Sequence, residues 1–175
     1  MQLNLIGGDP GLVDTAATAI LLDFDAKTIE VQTQVWSRVV KTSPKGWAIE
    51  VKQSFMLELN QFCMNRPGLT LRAVENYRPR GRNMKQDQQM TEMVQVCAEA
   101  MSGTIVDNTG IKKIVKEPLL KMFHCARFAS TNHADSKSAA RVALRRGIEN
   151  VAINMLLADY VRDHLEDRPW LFVST

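Results

Sequence analysis

The stretch "LNLIGGDPGL", residues 3–12, decides how the chain begins to fold. Its short apolar run ends in two glycines and predicts a buried strand over residues 2–9. Asp9 is the last residue of that strand and directly precedes a Pro-Gly turn. Because aspartate commonly initiates such turns, Asp9 has two interpretations: the corner of a turn, or a carboxylate placed at a strand end for chemistry.

Two β-rich runs come next, "TAATAILLDF" at residues 15–24 and "TIEVQTQVW" at residues 28–36. The three residues between them predict a hairpin. The second run alternates apolar and polar residues, as a half-exposed strand does. The chain is therefore expected to open with three antiparallel strands.

Helices and strands alternate through the rest of the chain. Ser43 and Pro44 are typical of an N-cap and a first helical residue. Because a β-α-β crossover requires parallel pairing, the last two strands are expected to be parallel. The order predicts an α/β fold with a mixed five-stranded sheet flanked by helices in a single domain. The expected elements are a helix over 44–65, a strand over 69–75, a loop over 76–85, a helix over 86–102, a strand over 103–108, a short helix over 117–129, a long helical region over 134–165 with a candidate bend at Gly147, and a tail that is irregular or a short extension.

Composition excludes several classes of protein. A chain of 175 residues that is 45% hydrophobic and 23% charged is typical of one globular domain. It has no apolar run of membrane-spanning length, and its N-terminus lacks the basic region of a signal peptide. Three widely spaced cysteines match neither a disulfide framework nor a zinc site, so reduced thiols in a cytoplasmic protein are expected.

Glu75 ends the fourth predicted strand as Asp9 ends the first. If these strands are parallel neighbours, both carboxylates lie at the sheet edge where α/β proteins gather their functional groups. Two such anions repel each other, and Mg²⁺ with oxygen ligands relieves the repulsion. A pair of such ions can clamp both oxygens of a phosphoryl displacement. The alternative is a turn-initiating Asp9 and a solvated Glu75.

A third acid, Asp135, lies in "STNHADSKSAARVALRRGIENVAI", residues 130–153, at the start of the long helix. It suits the positive end of the helix dipole, which is a purely structural explanation. His133 and Ser138 gather within two turns of it, and Arg141 and Arg145 follow. A carboxylate held here against the sheet end would complete a metal site.

The loop "NYRPRGRNMK" at residues 76–85 is basic and contains no acid. Arginine matches phosphate oxygens and stacks on bases, so this loop beside Glu75 favours a nucleic-acid partner over an ordinary solvated surface. The candidate DNA-binding residues are Tyr77, Arg78, Arg80, Arg82 and Lys85, together with Arg141 and Arg145 from the helix.

Three segments resemble the motifs of RuvC-type Holliday junction endonucleases, especially the compact phage versions. They are "LIGGDPGLVDTAATAIL", "LRAVENYRPRGRNMKQDQQMTEMV" and "NHADSKSAARVALRRGI". The resemblance extends from about residue 3 to residue 165. It implies an RNase H-like fold, Mg²⁺ or Mn²⁺ (two ions per active site), and a homodimer that nicks branched DNA symmetrically. It also implies that Asp9, Glu75 and Asp135 are catalytic metal ligands.

The third motif departs from the family pattern. The family usually has an acid or histidine, two intervening residues and then an aspartate. Counted from His133, the aspartate position is occupied by Ser136. Counted from Asp135, it is occupied by Ser138. The fourth ligand is therefore open among His133, Ser136 and Ser138, and His133 is also a candidate general base.

Two alternative functions come from other classes. "GGDPGLVDTA" also resembles the first phosphate loop of actin-like ATPases, but those bind nucleotide between two such domains. A junction-binding protein that no longer cleaves is the second alternative, since the third motif is incomplete.

The predicted helix over 44–65 is a candidate dimer surface, with the alternative that it is buried within one subunit. Its bulky apolar residues cover more of the circumference than one core-facing stripe needs. They are Trp47, Phe55, Met56, Phe62 and Met64.

Overall fold

The computed structural model describes residues 1–37, 39, 47, 49–64, 66–129 and 133–174. In chain order, the elements are β1 (Gln2–Asp9), β2 (Asp14–Asp23), β3 (Thr28–Ser37), α1 (Ile49–Cys63), β4 (Leu69–Glu75), α2 (Met84–Met101), β5 (Thr104–Val106), α3 (Ile111–Ile114), α4 (Glu117–Met122), α5 (His133–Glu149), α6 (Val151–Leu165) and β6 (Leu171–Ser174).

The strands form one mixed sheet in the order β5-β4-β1-β2-β3-β6. β1, β2 and β3 are antiparallel neighbours, whereas β4 is parallel to β1 and β5 is parallel to β4. The predicted α/β architecture is confirmed. The five-strand count is wrong, because β6 adds a sixth strand parallel to β3. The residues of β6, LFVS, do not alternate between apolar and polar, so the sequence does not mark them as a strand.

The long helical region predicted over 134–165 is two helices. Asn150 separates them: it has an extended backbone, and its side chain accepts a hydrogen bond from the backbone N–H of Ile153 as the N-cap of α6. Gly147 is not the break. A Cβ there would lie 2.8 Å from Leu157 Cδ1, so the glycine instead allows α6 to pack closely.

Other helix predictions differ at their ends. The helix expected over 44–65 is α1, which begins at Ile49; residues 44–46, 48 and 65 lie outside the described residues. The helix expected over 117–129 ends early at Met122, and His124 has a left-handed backbone with φ of 55° that a helix cannot contain. The short α3 was not predicted.

Side chains alternate between two helical layers. On β1, Ile6 belongs to the hydrophobic cluster under α1 and α2, while Leu3 and Leu5 belong to the cluster under α4, α5 and α6. Odd-numbered β1 residues thus face α5. Asp9 therefore points to the α5 side of the sheet.

α5 lies directly on β1. A Cβ on Gly7 would lie 2.0 Å from the carbonyl oxygen of Ala139 and 2.5 Å from the backbone nitrogen of Ala143. Thr18 on β2 donates a hydrogen bond of 2.9 Å to the carbonyl of Ser136. These contacts hold the first turns of α5 over the end of the sheet where β1 and β4 terminate.

Four of the five residues proposed for a dimer surface pack within the subunit. Phe55 is buried, with its ring 5.7 Å from that of Trp36. Trp47, Met56 and Phe62 pack against the same cluster, and Met64 is exposed. The exposed apolar residues of α1 and its C-terminal end are Ile49, Leu57 and Met64.

The three cysteines, Cys63, Cys97 and Cys125, are buried free thiols, as the sequence predicts. Among the described helices, none combines the length and the apolar character needed to cross a membrane.

Candidate active site

The sheet register brings Asp9 and Glu75 together. Gly8 is the parallel partner of Val74, so the next residue on each strand is an acid. Ala73 packs with Val142 of α5, so Glu75, two residues further along β4, faces α5 as Asp9 does. The expectation that strands one and four are parallel neighbours is confirmed.

The Asp9 carboxyl is strongly perturbed. Burial, followed by the charges of Glu75 and Asp135, raises the pKa of Asp9 to about 8. At neutral pH and without a cation, the pair therefore retains a proton on Asp9. A cation that replaces this proton would be held by oxygen atoms already close together.

Two side chains from outside β4 hold the Glu75 carboxylate. Asn108 donates from Nδ2 to Oε1 over 2.8 Å. Ser138 donates from Oγ to Oε2 over 3.2 Å. Each oxygen keeps a free lone pair, so the carboxylate is oriented and can still bind a cation.

The start of α5 places its candidate residues differently. Asp135 lies close enough to raise the pKa of Asp9, and burial followed by the charge of Asp14 raises the pKa of Asp135 itself. Nδ1 of His133 accepts a hydrogen bond of 3.0 Å from the backbone N–H of Phe128, so that nitrogen is occupied by the preceding segment.

Of the two serines open as a fourth ligand, Ser138 reaches the acidic pair. Ser136 is fully buried, and its Oγ has no hydrogen-bond partner within the described part of the chain. Across those same residues, no three His, Cys, Asp or Glu side chains are grouped closely enough to hold a metal ion. The carboxylate centre is thus the pair Asp9 and Glu75, with Ser138 beside it and Asp135 acting through its charge.

The two helix arginines predicted to bind DNA are largely occupied by protein groups. Arg145 donates to the carbonyls of Asp107 and Thr109 and pairs with Glu149. Arg141 pairs with Glu117 over 3.4 Å. Their side chains are only 12% and 14% exposed, which leaves little of either for a phosphate.

The basic loop is anchored by Asp87 at the start of α2. That carboxylate accepts hydrogen bonds from the Tyr77 hydroxyl and from the backbone N–H groups of Arg80 and Gly81. Tyr77 also packs against the α1/α2 cluster, so it holds the loop in place. Arg78 pairs with Asp107 over 2.6 Å and is 62% exposed. The other cations of the loop, Arg80, Arg82 and Lys85, are exposed.

Sequence reasoning missed Asn108, Asp87 and Asp14. Asn108 had a usable signal, because it lies just past the carboxyl end of a strand parallel to the one that ends in Glu75. Asp14 faces α5 from the start of β2, but it resembles a residue leaving a turn. Nothing in the sequence distinguishes Asp87 from an ordinary first-turn acid.

No protein-family model matches this chain, and no curated protein sequence is similar to it. Several solved structures are similar to it. Thermus thermophilus RuvC in complex with a Holliday junction substrate matches with a TM-score of 0.55 and 15% identity, over 82% of this chain and 91% of that one. A second T. thermophilus RuvC structure gives 0.53 and 16%, over 82% and 92%. The Fowlpox virus resolvase with Holliday junction DNA gives 0.44 and 12%, over 90% and 99%.

The two T. thermophilus matches show that this chain has the RuvC fold. The RNase H-like architecture expected from the sequence is thereby confirmed.

Proposed function

We propose that this protein is a metal-dependent endonuclease that acts on branched DNA as a Holliday junction resolvase. One observation supports this most directly: Asp9 and Glu75 lie side by side at the ends of two parallel neighbouring strands, close enough that the charge of Glu75 raises the pKa of Asp9. A basic loop follows Glu75 directly. The RuvC structure that shares the fold was solved with a Holliday junction substrate.

The residues present fit Mg²⁺ or Mn²⁺. Both are oxygen-seeking cations that are held by one or two carboxylates and complete their coordination with water and substrate phosphates. Asp9 and Glu75 would hold the ion, Ser138 would contribute its hydroxyl nearby, and Asp135 would assist a second ion. When bound, such ions lower the pKa of water and stabilise the leaving oxygen in phosphodiester hydrolysis.

The chain's own groups have separate tasks. Asn108 and Ser138 keep the Glu75 carboxylate oriented. We assign the DNA backbone to Arg78, Arg80, Arg82 and Lys85. Arg78 would exchange its exposed pair with Asp107 for a phosphate, since such surface pairs contribute only about 0–1 kcal/mol.

Cleavage of a synthetic four-way junction tests the proposal. Wild type is expected to make symmetric nicks with Mg²⁺ or Mn²⁺ and none with EDTA. Asp9→Asn should lower the cleavage rate by roughly 10³-fold or more, as loss of an essential catalytic group does, while junction binding persists. Asp159→Asn on the exposed face of α6 is the matched control and should cleave normally. Undiminished cleavage by Asp9→Asn would remove Asp9 from the site.

The same junction tests the basic loop. Alanine at Arg78, Arg80 and Arg82 together should weaken binding and reduce the salt slope by roughly 2–3, because fewer counterions are released. Arg162→Ala on α6 is the control. An unchanged slope in the triple variant would make the loop ordinary surface.

A junction-binding protein without cleavage is the second candidate. Ser138 favours it, because the side chain beside Glu75 is a neutral hydroxyl, three residues after Asp135, where the family pattern has an aspartate. Tight junction binding by wild type with no cleavage in Mg²⁺ or Mn²⁺ would select this candidate.

A further inference from the structure

Asn108 is the feature of the site that neither motif nor comparison accounts for. It is half-buried just beyond β5, and its Nδ2 donates to Glu75 Oε1 over 2.8 Å across 33 residues of sequence. Ser138 holds the other oxygen from α5. Glu75 is therefore fixed by two elements that are separate from its own strand.

The backbone around Asn108 is itself held. Asp107 Oδ1 accepts bonds from the N–H and the hydroxyl of Thr109, at 3.0 and 2.9 Å. Arg145 of α5 donates to the carbonyl oxygen of Thr109 over 3.1 Å and also to that of Asp107. The amide of Asn108 thus reaches Glu75 from a turn that these hydrogen bonds hold in place.

The side-chain chemistry suits orientation. A neutral amide donor satisfies one lone pair of Oε1 without adding positive charge, so the oxygen keeps its capacity for a cation. A lysine at this position would compete with the cation, and an aspartate would add a third anion to the pair. Groups that hold a metal-binding side chain in this way typically change metal affinity or activity by 10–100-fold.

We infer that Asn108 is a positioning residue that fixes the Glu75 carboxylate against Asp9, so that the pair is preorganised for a divalent cation. This inference rests on the proposed function. It predicts that loss of the amide weakens cation binding and leaves the affinity for DNA unchanged.

Calorimetric titration of the metal-free full-length protein with Mn²⁺ is the direct test. Asn108→Ala should raise the Mn²⁺ dissociation constant by about 10-fold. Asn108→Ser, which keeps a polar residue in the turn but is too short to reach Glu75, should do the same. Asn154→Ala on the exposed face of α6 is the matched control and should bind Mn²⁺ like wild type.

Cleavage supplies the second measurement. The Mn²⁺ concentration for half-maximal junction cleavage should rise by the same factor in both Asn108 variants, with junction affinity in EDTA and the melting temperature unchanged. Wild-type Mn²⁺ affinity in either variant would overturn the positioning role while the proposed function stands. A wild-type protein that neither binds Mn²⁺ nor cleaves would overturn both.

Discussion

At the residue scale, Asp9 is explained by its surroundings. A turn-initiating aspartate is normally solvated and ionised. Asp9 is instead half-buried against Glu75, and its pKa is raised to about 8. Burial disfavours the charged form and the neighbouring acids add repulsion, so the folded protein without a cation prefers Asp9 protonated.

This preference predicts a pH-dependent stability. The folded pKa of Asp9 lies above its ordinary value of 3.8, so the folded state binds the proton more tightly than the unfolded state does. The stability of the cation-free protein should therefore decline as pH rises from about 4 to about 8 and remain low above that. Asp9→Asn should remove the decline and be more stable at pH 8 by about 1–3 kcal/mol.

Urea unfolding in EDTA at pH 5 and pH 8 measures this effect. Mn²⁺ in place of EDTA should restore the stability of wild type at pH 8 and give Asp9→Asn little benefit, because the cation binds the native carboxylate pair. The same pH dependence of stability in both proteins would contradict the raised pKa of Asp9.

At the element scale, the site depends on the close packing of α5 against β1. Ala139, Ala140 and Ala143 are buried where the helix meets the strand. Gly7 has no room for a Cβ against the α5 backbone. Because α5 presents Ser138 to Glu75, its distance from the sheet sets the geometry of the site.

Gly7→Ala should push α5 away from β1. The added methyl group meets backbone atoms, which cannot move aside as a side chain can. We expect a loss of stability of about 3 kcal/mol, at the upper end of the usual overpacking range, and a matching loss of cleavage. Gly103→Ala is the control, since its Cβ would make ordinary contacts at 3.4 Å or more. Equal melting temperatures for both variants would contradict the close contact.

Some of these elements and contacts could be predicted from the sequence, and others could not. The strand predicted over 69–75 is β4 to the residue, since Pro67 and Gly68 bound it locally. The pairing of Asp9 with Glu75 followed from sheet topology. The contacts of His133 and Arg145 could not be predicted from sequence, because their partners, Phe128 and Thr109, lie on turns that no local periodicity predicts. Asn108 was missed although its place just past β5, beside the end of β4, was predictable.

At the scale of the whole molecule, the described part of the chain contains one such carboxylate pair, whereas a four-way junction has two equivalent strands to cut. A two-fold homodimer would supply the second site at a fixed spacing, and we propose that the protein forms one. Within one subunit, most of the bulky face of α1 is used by the core. Ile49, Leu57 and Met64 remain, at 69%, 60% and 48% exposed, and we propose that they lie in the dimer interface.

Sedimentation velocity tests the dimer at micromolar concentration. Wild type is expected at twice the chain mass of 19.7 kDa, since a closed two-fold interface buries the same patch on both subunits. Leu57→Glu should sediment as a monomer with an unchanged melting temperature, because a charge on an exposed position disturbs only the interface. Met155→Glu, on an equally exposed apolar position of α6, is the control and should remain dimeric. The monomeric variant should also nick one strand of a junction and leave its symmetric partner intact. A wild type that sediments at 19.7 kDa both free and with one copy per junction would refute the dimer.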